Sequence, residues 1–192
     1  KLGGPLSVGV GATSADQSSI ALGPSGRPVV AWVGVDAAGG KNVYVREWTG
    51  STWNNLGGAL SAFPGNTQAI GPVLASGAGK LFVVWSESDG GSIQRPQVFQ
   101  WSGTAWTPVG TSPGGGTQYS FAMSLVVDGA GNPLLAWHEA QVTFGPTRVR
   151  VARWTGSAWA SLGTYLTASS APGATSYSPT LALDNKDQPV VA

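Results

Sequence analysis

Short apolar and polar runs follow one another along the chain in a fixed order that recurs four times. "SSIALGPSGRPVVAW", "GPVLASGAGKLFVVW", "MSLVVDGAGNPLLAW" and "SPTLALDNKDQPVVA" each place a short apolar run, such as Ile20 to Leu22, before a turn and a second apolar run, such as Pro28 to Trp32. The turns hold Gly, Pro, Asp, Asn or Ser, and apolar, β-branched runs of this length between turn formers predict buried strands. A third stretch alternates, as in Val43, Tyr44, Val45, Arg46, which turns every second side chain to one face of a sheet. "VYVREWTGSTWNNLGG", "PQVFQWSGTAWTPVGT" and "VRVARWTGSAWASLGT" then set two tryptophans on either side of a Gly-containing turn, the pattern of a tight hairpin into a fourth strand. No helical period occurs, and 29 Gly and 13 Pro oppose long helices.

The nine tryptophans mark the repeat. They fall as Trp32, Trp48, Trp53, then Trp85, Trp101, Trp106, then Trp137, Trp154, Trp159, with internal spacings of 16 or 17 and then 5 residues. The repeat of about 53 residues and its four predicted strands match radial blades, each burying its faces against its neighbours. An all-β propeller of four-stranded antiparallel blades is expected, as a single domain: residues 1–15 as the last strand of one blade, then blades at 16–68, 69–120 and 121–175, then the first two strands of an incomplete blade at 176–192. "KLGGPLS" matches "NLGGALS" at Asn55 to Ser61, so the two ends supply a fourth strand and a first pair with nothing between them. Such an open edge leads to the expectation of a piece of a larger propeller, or of open ends that meet between copies.

"DGAGNPLLAWHE" and "RWTGSAWASLG" resemble the BNR/sialidase-like and related bacterial propeller repeats, across essentially the whole chain. That resemblance implies the blade fold and an exported or cell-surface bacterial protein, with lectin-like carbohydrate binding and sialidase-like hydrolysis among its functions. The Asp-box Ser-x-Asp-x-Gly-x-x-Trp is not present as such. Arg46, Arg95, Arg148, Arg150 and Arg153 fall on or near third strands, away from the inner rim where an arginine triad would work, and Arg27 falls in a first hairpin.

Charge narrows the partners. Only 10% of residues are charged and the formal net charge is +1, so no basic surface can neutralise a run of phosphates, and nucleic acid is not expected. No segment is apolar enough for a membrane-spanning helix, and the absence of Cys removes disulfides and thiolate chemistry. No cofactor is expected. Asp128 and Asp184 hint at calcium, but the equivalent turns "GPSGR" and "SGAGK" carry no carboxylate, so both are expected to bond their own turn backbone.

Positions that break the repeat carry the candidate chemistry. Second strands close on Trp32-Val33-Gly34, Trp85-Ser86-Glu87 and Trp137-His138-Glu139, and the residues after each tryptophan are read as the start of a loop. Glu87, His138 and Glu139 are therefore expected to form a polar cluster, with His138, the sole histidine, as its acid-base group. Asp16, Gln17, Gln118, Tyr119 and Tyr177, in segments between blades, are expected on the same end. The tryptophans are assigned to blade packing. The expected function is non-catalytic recognition of a glycan or protein by these loops. Self-assembly in a surface layer or appendage is the alternative, and a sialidase-like hydrolase the third.

Overall fold

The computed structural model describes residues 2–4, 6, 14–65, 68–88, 90–91, 93–114, 119–140, 145–167 and 173–192, the side chain of Ala122 excepted. Strands β1 (Ser14–Leu22), β2 (Pro28–Val35), β3 (Lys41–Trp48) and β4 (Trp53–Asn55) form one antiparallel sheet in that order. β5 (Ile70–Gly77), β6 (Lys80–Ser88), β7 (Gln94–Trp101) and β8 (Trp106–Pro108) form a second. β9 (Tyr119–Val127), β10 (Pro133–Ala140), β11 (Thr147–Trp154) and β12 (Trp159–Ser161) form a third, and β13 (Leu181–Leu183) pairs with β14 (Pro189–Val191). The all-β propeller expected from the repeat is what the chain adopts, and no helix occurs among the described residues.

Side-chain alternation decides how the sheets stack. On β6, Leu81, Val83 and Trp85 project to one side and meet Val29, Ala31, Val43 and Val45 of the first sheet. Phe82 and Val84 project to the other and meet Leu125, Leu135 and Trp137 of the third. Leu134, Ala136 and Val151 in turn pack on Leu181. First strands adjoin first strands, β1 with β5, β5 with β9 and β9 with β13, so the sheets radiate from a common inner edge.

Two devices fasten neighbouring sheets. On the outside, the indole N–H groups of Trp53, Trp106 and Trp159 donate to the backbone carbonyls of Leu2, Leu56 and Val109, at 3.1, 2.7 and 2.8 Å. The glycine after each of these residues, Gly3, Gly57 or Gly110, has φ of +64°, +80° or +65° and lies against the tryptophan pair of the next sheet. On the inside, Ser19 Oγ accepts from the Leu74 amide and Ser124 Oγ from the Leu181 amide, both at 3.0 Å.

Both inner strands run longer than the apolar runs predict. β1 begins at Ser14, six residues before Ile20, because backbone pairing with β2 carries an exposed polar stretch. β2, β6 and β10 continue for three residues past their tryptophans. Opposite Trp32, Trp85 and Trp137 the first strand takes two residues against one, a bulge that bends the strand end. The extra residues include Gln17 and Gly71, at φ of 51° and 60°.

Candidate functional site

Because β6 and β10 run past their tryptophans, Glu87 and Glu139 are strand residues and not loop residues. Two positions along a strand return to the same face, so each carboxylate points with its tryptophan into the space between sheets. Glu87 is fully buried. Its Oε2 accepts from Trp85 Nε1 at 2.7 Å and from the Ala62 amide at 2.8 Å, and its Oε1 accepts from Ser61 Oγ at 2.5 Å. Ser61 and Ala62 belong to the segment leaving the first sheet, so Glu87 ties the second sheet to the first.

Glu139 repeats half of this arrangement. It accepts from Trp137 Nε1 at 3.0 Å through Oε2, while Oε1 has no hydrogen bond among the described residues and faces Arg150 NH1 at 3.5 Å. Gly114 stands where the repeat has Ser61, near Trp137 Nε1, so the hydroxyl is missing. Burial pushes the Glu139 carboxyl above its ordinary range, against the Trp137 hydrogen bond and the charges of Arg150 and Arg148. A raised carboxyl pKa favours the folded state in acid, and that contribution is lost as pH rises through the folded value.

The first sheet lacks the arrangement altogether, since Gly34 occupies the position of Glu87. Trp32 is 3% exposed and its Nε1 has no hydrogen-bond partner among the described residues. Trp32 and Val30 project from β2 away from the second sheet and wall an open cavity of about 480 Å³, lined also by Leu6, Asp16, Gln17 and Ser18. Tyr44 stacks on Trp32 at 5.9 Å between ring centroids, and the Arg46 guanidinium lies 5.5 Å from the Trp32 ring. Burial and the Asp36 charge push the Tyr44 phenol up, so it stays protonated at neutral pH.

The cluster expected of Glu87, His138 and Glu139 does not form. His138 lies on the opposite face of β10 from Glu139, and Glu87 belongs to another sheet. His138 instead meets Tyr177, edge-on at 5.6 Å, and Phe121 at 5.9 Å, and its Nδ1 accepts from the Ser178 amide at 3.3 Å. Tyr119 is half-buried at the start of β9, opposite Ala140, and Gln118 lies outside the described residues. Asp16 and Gln17 are exposed on the β1 bulge, with Gln17 Oε1 accepting from the Gly71 amide at 2.8 Å. Asp128 and Asp184 each accept from two amides of their own turns.

Burial pulls the His138 imidazole below its ordinary value, which suits the neutral ring that accepts from Ser178. Its stabilising contribution is complete above the unfolded pKa of about 6.5 and declines as pH falls from there through the folded value. Protection of the Ser178 amide from hydrogen exchange, corrected for intrinsic rate, is expected to fall between pH 7.5 and pH 5. Equal protection at both would contradict this contact.

No protein-family model matches the chain, and no curated protein does either. Solved structures share its fold. An α-L-arabinofuranosidase from Lactobacillus brevis superposes with a TM-score of 0.59 at 12% identity, over 95% of this chain and 66% of that one. A Penicillium chrysogenum α-L-arabinanase, solved with arabinobiose, gives 0.62 at 17% identity, over 92% and 58%. An endo-arabinase from Bacteroides thetaiotaomicron gives 0.56 at 14%, over 92% and 68%. The chain thus spans roughly two thirds or less of the first two structures' length. The propeller part of the sequence resemblance stands, while its narrower BNR affiliation finds no match. These comparisons also correct the expectation of a non-catalytic chain, because the structures that share the scaffold are glycan-cleaving enzymes.

Proposed function

We propose that this propeller handles a glycan, engaged in the cavity beside Trp32. The cavity itself carries the reading: about 480 Å³ lies in the usual range for small-molecule sites, and Asp16, Gln17 and Ser18 set polar groups beside Leu6, Val30 and Trp32, the mix that orients such ligands. Asp16, paired with Val33 in the β1–β2 ladder, offers acceptors, and Gln17, on the bulge that follows it, a side-chain amide. The likeness to an arabinofuranosidase and two arabinan-cleaving enzymes supports arabinose-containing oligosaccharides as the first ligands to try.

Among the described residues Asp16 is the one carboxylate in the cavity wall, and a hydrogen bond from a sugar hydroxyl to a carboxylate is of the stronger, charge-assisted kind. Asp16→Asn is expected to weaken oligosaccharide binding roughly tenfold or more, measured by calorimetry with arabinobiose and longer arabino-oligosaccharides. Unchanged affinity would remove Asp16 from the site. Glycoside hydrolysis uses a pair of carboxyl groups, and Asp16 supplies at most one. Binding alone and binding followed by hydrolysis make the same demand on this cavity, and release of reducing ends by the wild-type chain, lost in Asp16→Asn, separates them.

A further inference from the structure

We infer that the seam between the first two sheets, at the end where β1 turns into β2, is a binding site for an organic ammonium group, held by the Glu47 carboxylate beside Trp101. The site lies at the far end of β1 from Asp16 and does not rest on the glycan reading above.

A cleft of about 310 Å³ opens there, walled by Leu56, Leu81 and Trp101 and by the polar groups of Ser25, Glu47 and Ser102. That volume falls at the small end of the range for small-molecule sites. Glu47 precedes Trp48, the last residue of β3, and alternation sends it with Val43 and Val45 toward the second sheet. Its Oε1 accepts from Ser25 Oγ at 2.5 Å. A carboxylate has room for several donors, and Ser25 is one.

The other two seams show what this one does differently. Each turn that faces a preceding sheet ends on a residue with positive φ, Gly79 at +74°, Gly131 at +80° and Asp187 at +58°. In two of the three, a cation of the preceding sheet donates to that residue's carbonyl: Lys80 Nζ to Gly131 at 2.9 Å, and the Arg153 guanidinium to Asp187. Gly79 lines the cleft, and among the described residues no lysine or arginine does. Arg27, at the position of Lys80, is exposed outside the wall. The position of Arg153, immediately before the third-strand tryptophan, holds Gln100 in the second sheet and Glu47 in the first. The first seam thus sets a carboxylate where the third has a cation, and keeps an open cleft where a cation bridges the others.

An ammonium group supplies the cation that bridges the other seams. It pairs with Glu47 through charge-assisted hydrogen bonds, while the carbon body that carries it covers Leu56, Leu81 and Trp101. A tryptophan in the wall favours a cation further, since indole attracts positive charge to its ring. A neutral ligand forgoes the ion pair, and an anion meets the like charge of Glu47. Lysine side chains and amino sugars both present this group on an apolar stem or ring face, and that shared chemistry is what the cleft fits.

The test is an NMR titration of the full chain with the glucosamine disaccharide and with Nα-acetyl-lysine amide, each beside its neutral N-acetylated counterpart. At least one ammonium probe is expected to bind the wild type and to move the Trp101 indole and Gly79 amide resonances, with its neutral counterpart roughly tenfold weaker or more. Glu47→Gln and Glu47→Arg place at this position residues that the repeat already uses there, so both are expected to fold. Glu47→Gln is expected to cut affinity for the ammonium probe roughly tenfold, and Glu47→Arg, which brings its own cation, to abolish it. Binding of the disaccharide alone assigns an amino sugar as the source, binding of the lysine amide alone a protein side chain, and either upholds the site. Equal affinity in wild type and Glu47→Gln, a neutral counterpart bound as tightly as its ammonium parent, or no shift of these resonances with any probe would each overturn it. None of these outcomes bears on the cavity beside Trp32, which Asp16→Asn tests.

Discussion

Replacing Glu87 by alanine is expected to destabilise the protein by about 3–5 kcal/mol, lowering Tm by roughly 10 °C or more. The side chain accepts three hydrogen bonds, from Trp85, Ser61 and the Ala62 amide. Its loss strands a fully buried indole N–H and opens a void between two sheets. Each stranded buried donor costs about 1–3 kcal/mol, and the void adds a packing cost of similar size. Glu139→Ala is expected to cost clearly less, since among the described residues Glu139 accepts one hydrogen bond and its Oε1 has only the longer ionic contact with the part-exposed Arg150. Equilibrium urea unfolding of the two variants measures the difference. Equal losses would mean that Glu87 is not a tie between sheets.

Gly110→Ala is expected to cost about 2–4 kcal/mol. A Cβ there would fall 2.5 Å from Trp154 Cζ3 and 2.7 Å from Cη2, with the backbone held at φ +65°. The added methyl meets the outer tryptophan pair of the third sheet, where Trp154 and Trp159 lie 5.7 Å apart, and the left-handed conformation adds its own penalty for a side chain. Gly57→Ala is expected to cost less, because its Cβ would stop 3.1 Å from Trp106 Cδ1. Thermal melts of the pair check the order, and a Gly110→Ala variant as stable as wild type would show that the pair yields without cost.

Strands and their grouping were legible because period-two alternation and the tryptophan spacing both survive three copies. What misled was the end of the second strand. Ser86, Glu87, His138 and Glu139 are polar, and polarity after an apolar run reads as a loop. Backbone pairing with the third strand, Glu87 opposite Arg95 and Glu139 opposite Arg148, carries the strand on regardless. Once those residues are in a strand, Trp-x-Glu places indole and carboxylate on one face, and the cluster with His138 becomes geometrically barred.

The same spacing held the missed signal. Trp32-Val33-Gly34 lacks the carboxylate of its sister segments, and that difference becomes an indole N–H without its glutamate only when the strand is recognised to continue through Gly34. Asp16 and Gln17 were placed near this end by the repeat, but their meeting with Trp32 depends on the β1 bulge, which an exposed polar sequence does not announce. The His138–Tyr177 contact joins residues 39 positions apart, one on β10 and the other in the segment before β13, and no local pattern encodes it.

Hydrogen exchange at the indole N–H groups of Trp32, Trp85 and Trp137 reads most directly whether Glu87 and Glu139 tie two of the tryptophans while the third walls a ligand cavity. Trp85 and Trp137 are expected to exchange slowly and to keep their resonances when sugar is added. Trp32, with no glutamate two residues on, is expected to exchange faster than both, and its ring resonances to move on titration with an oligosaccharide that fills the cavity it walls. A Trp32 N–H as protected as that of Trp85, with ring resonances unmoved by any sugar that binds the protein, would contradict the account.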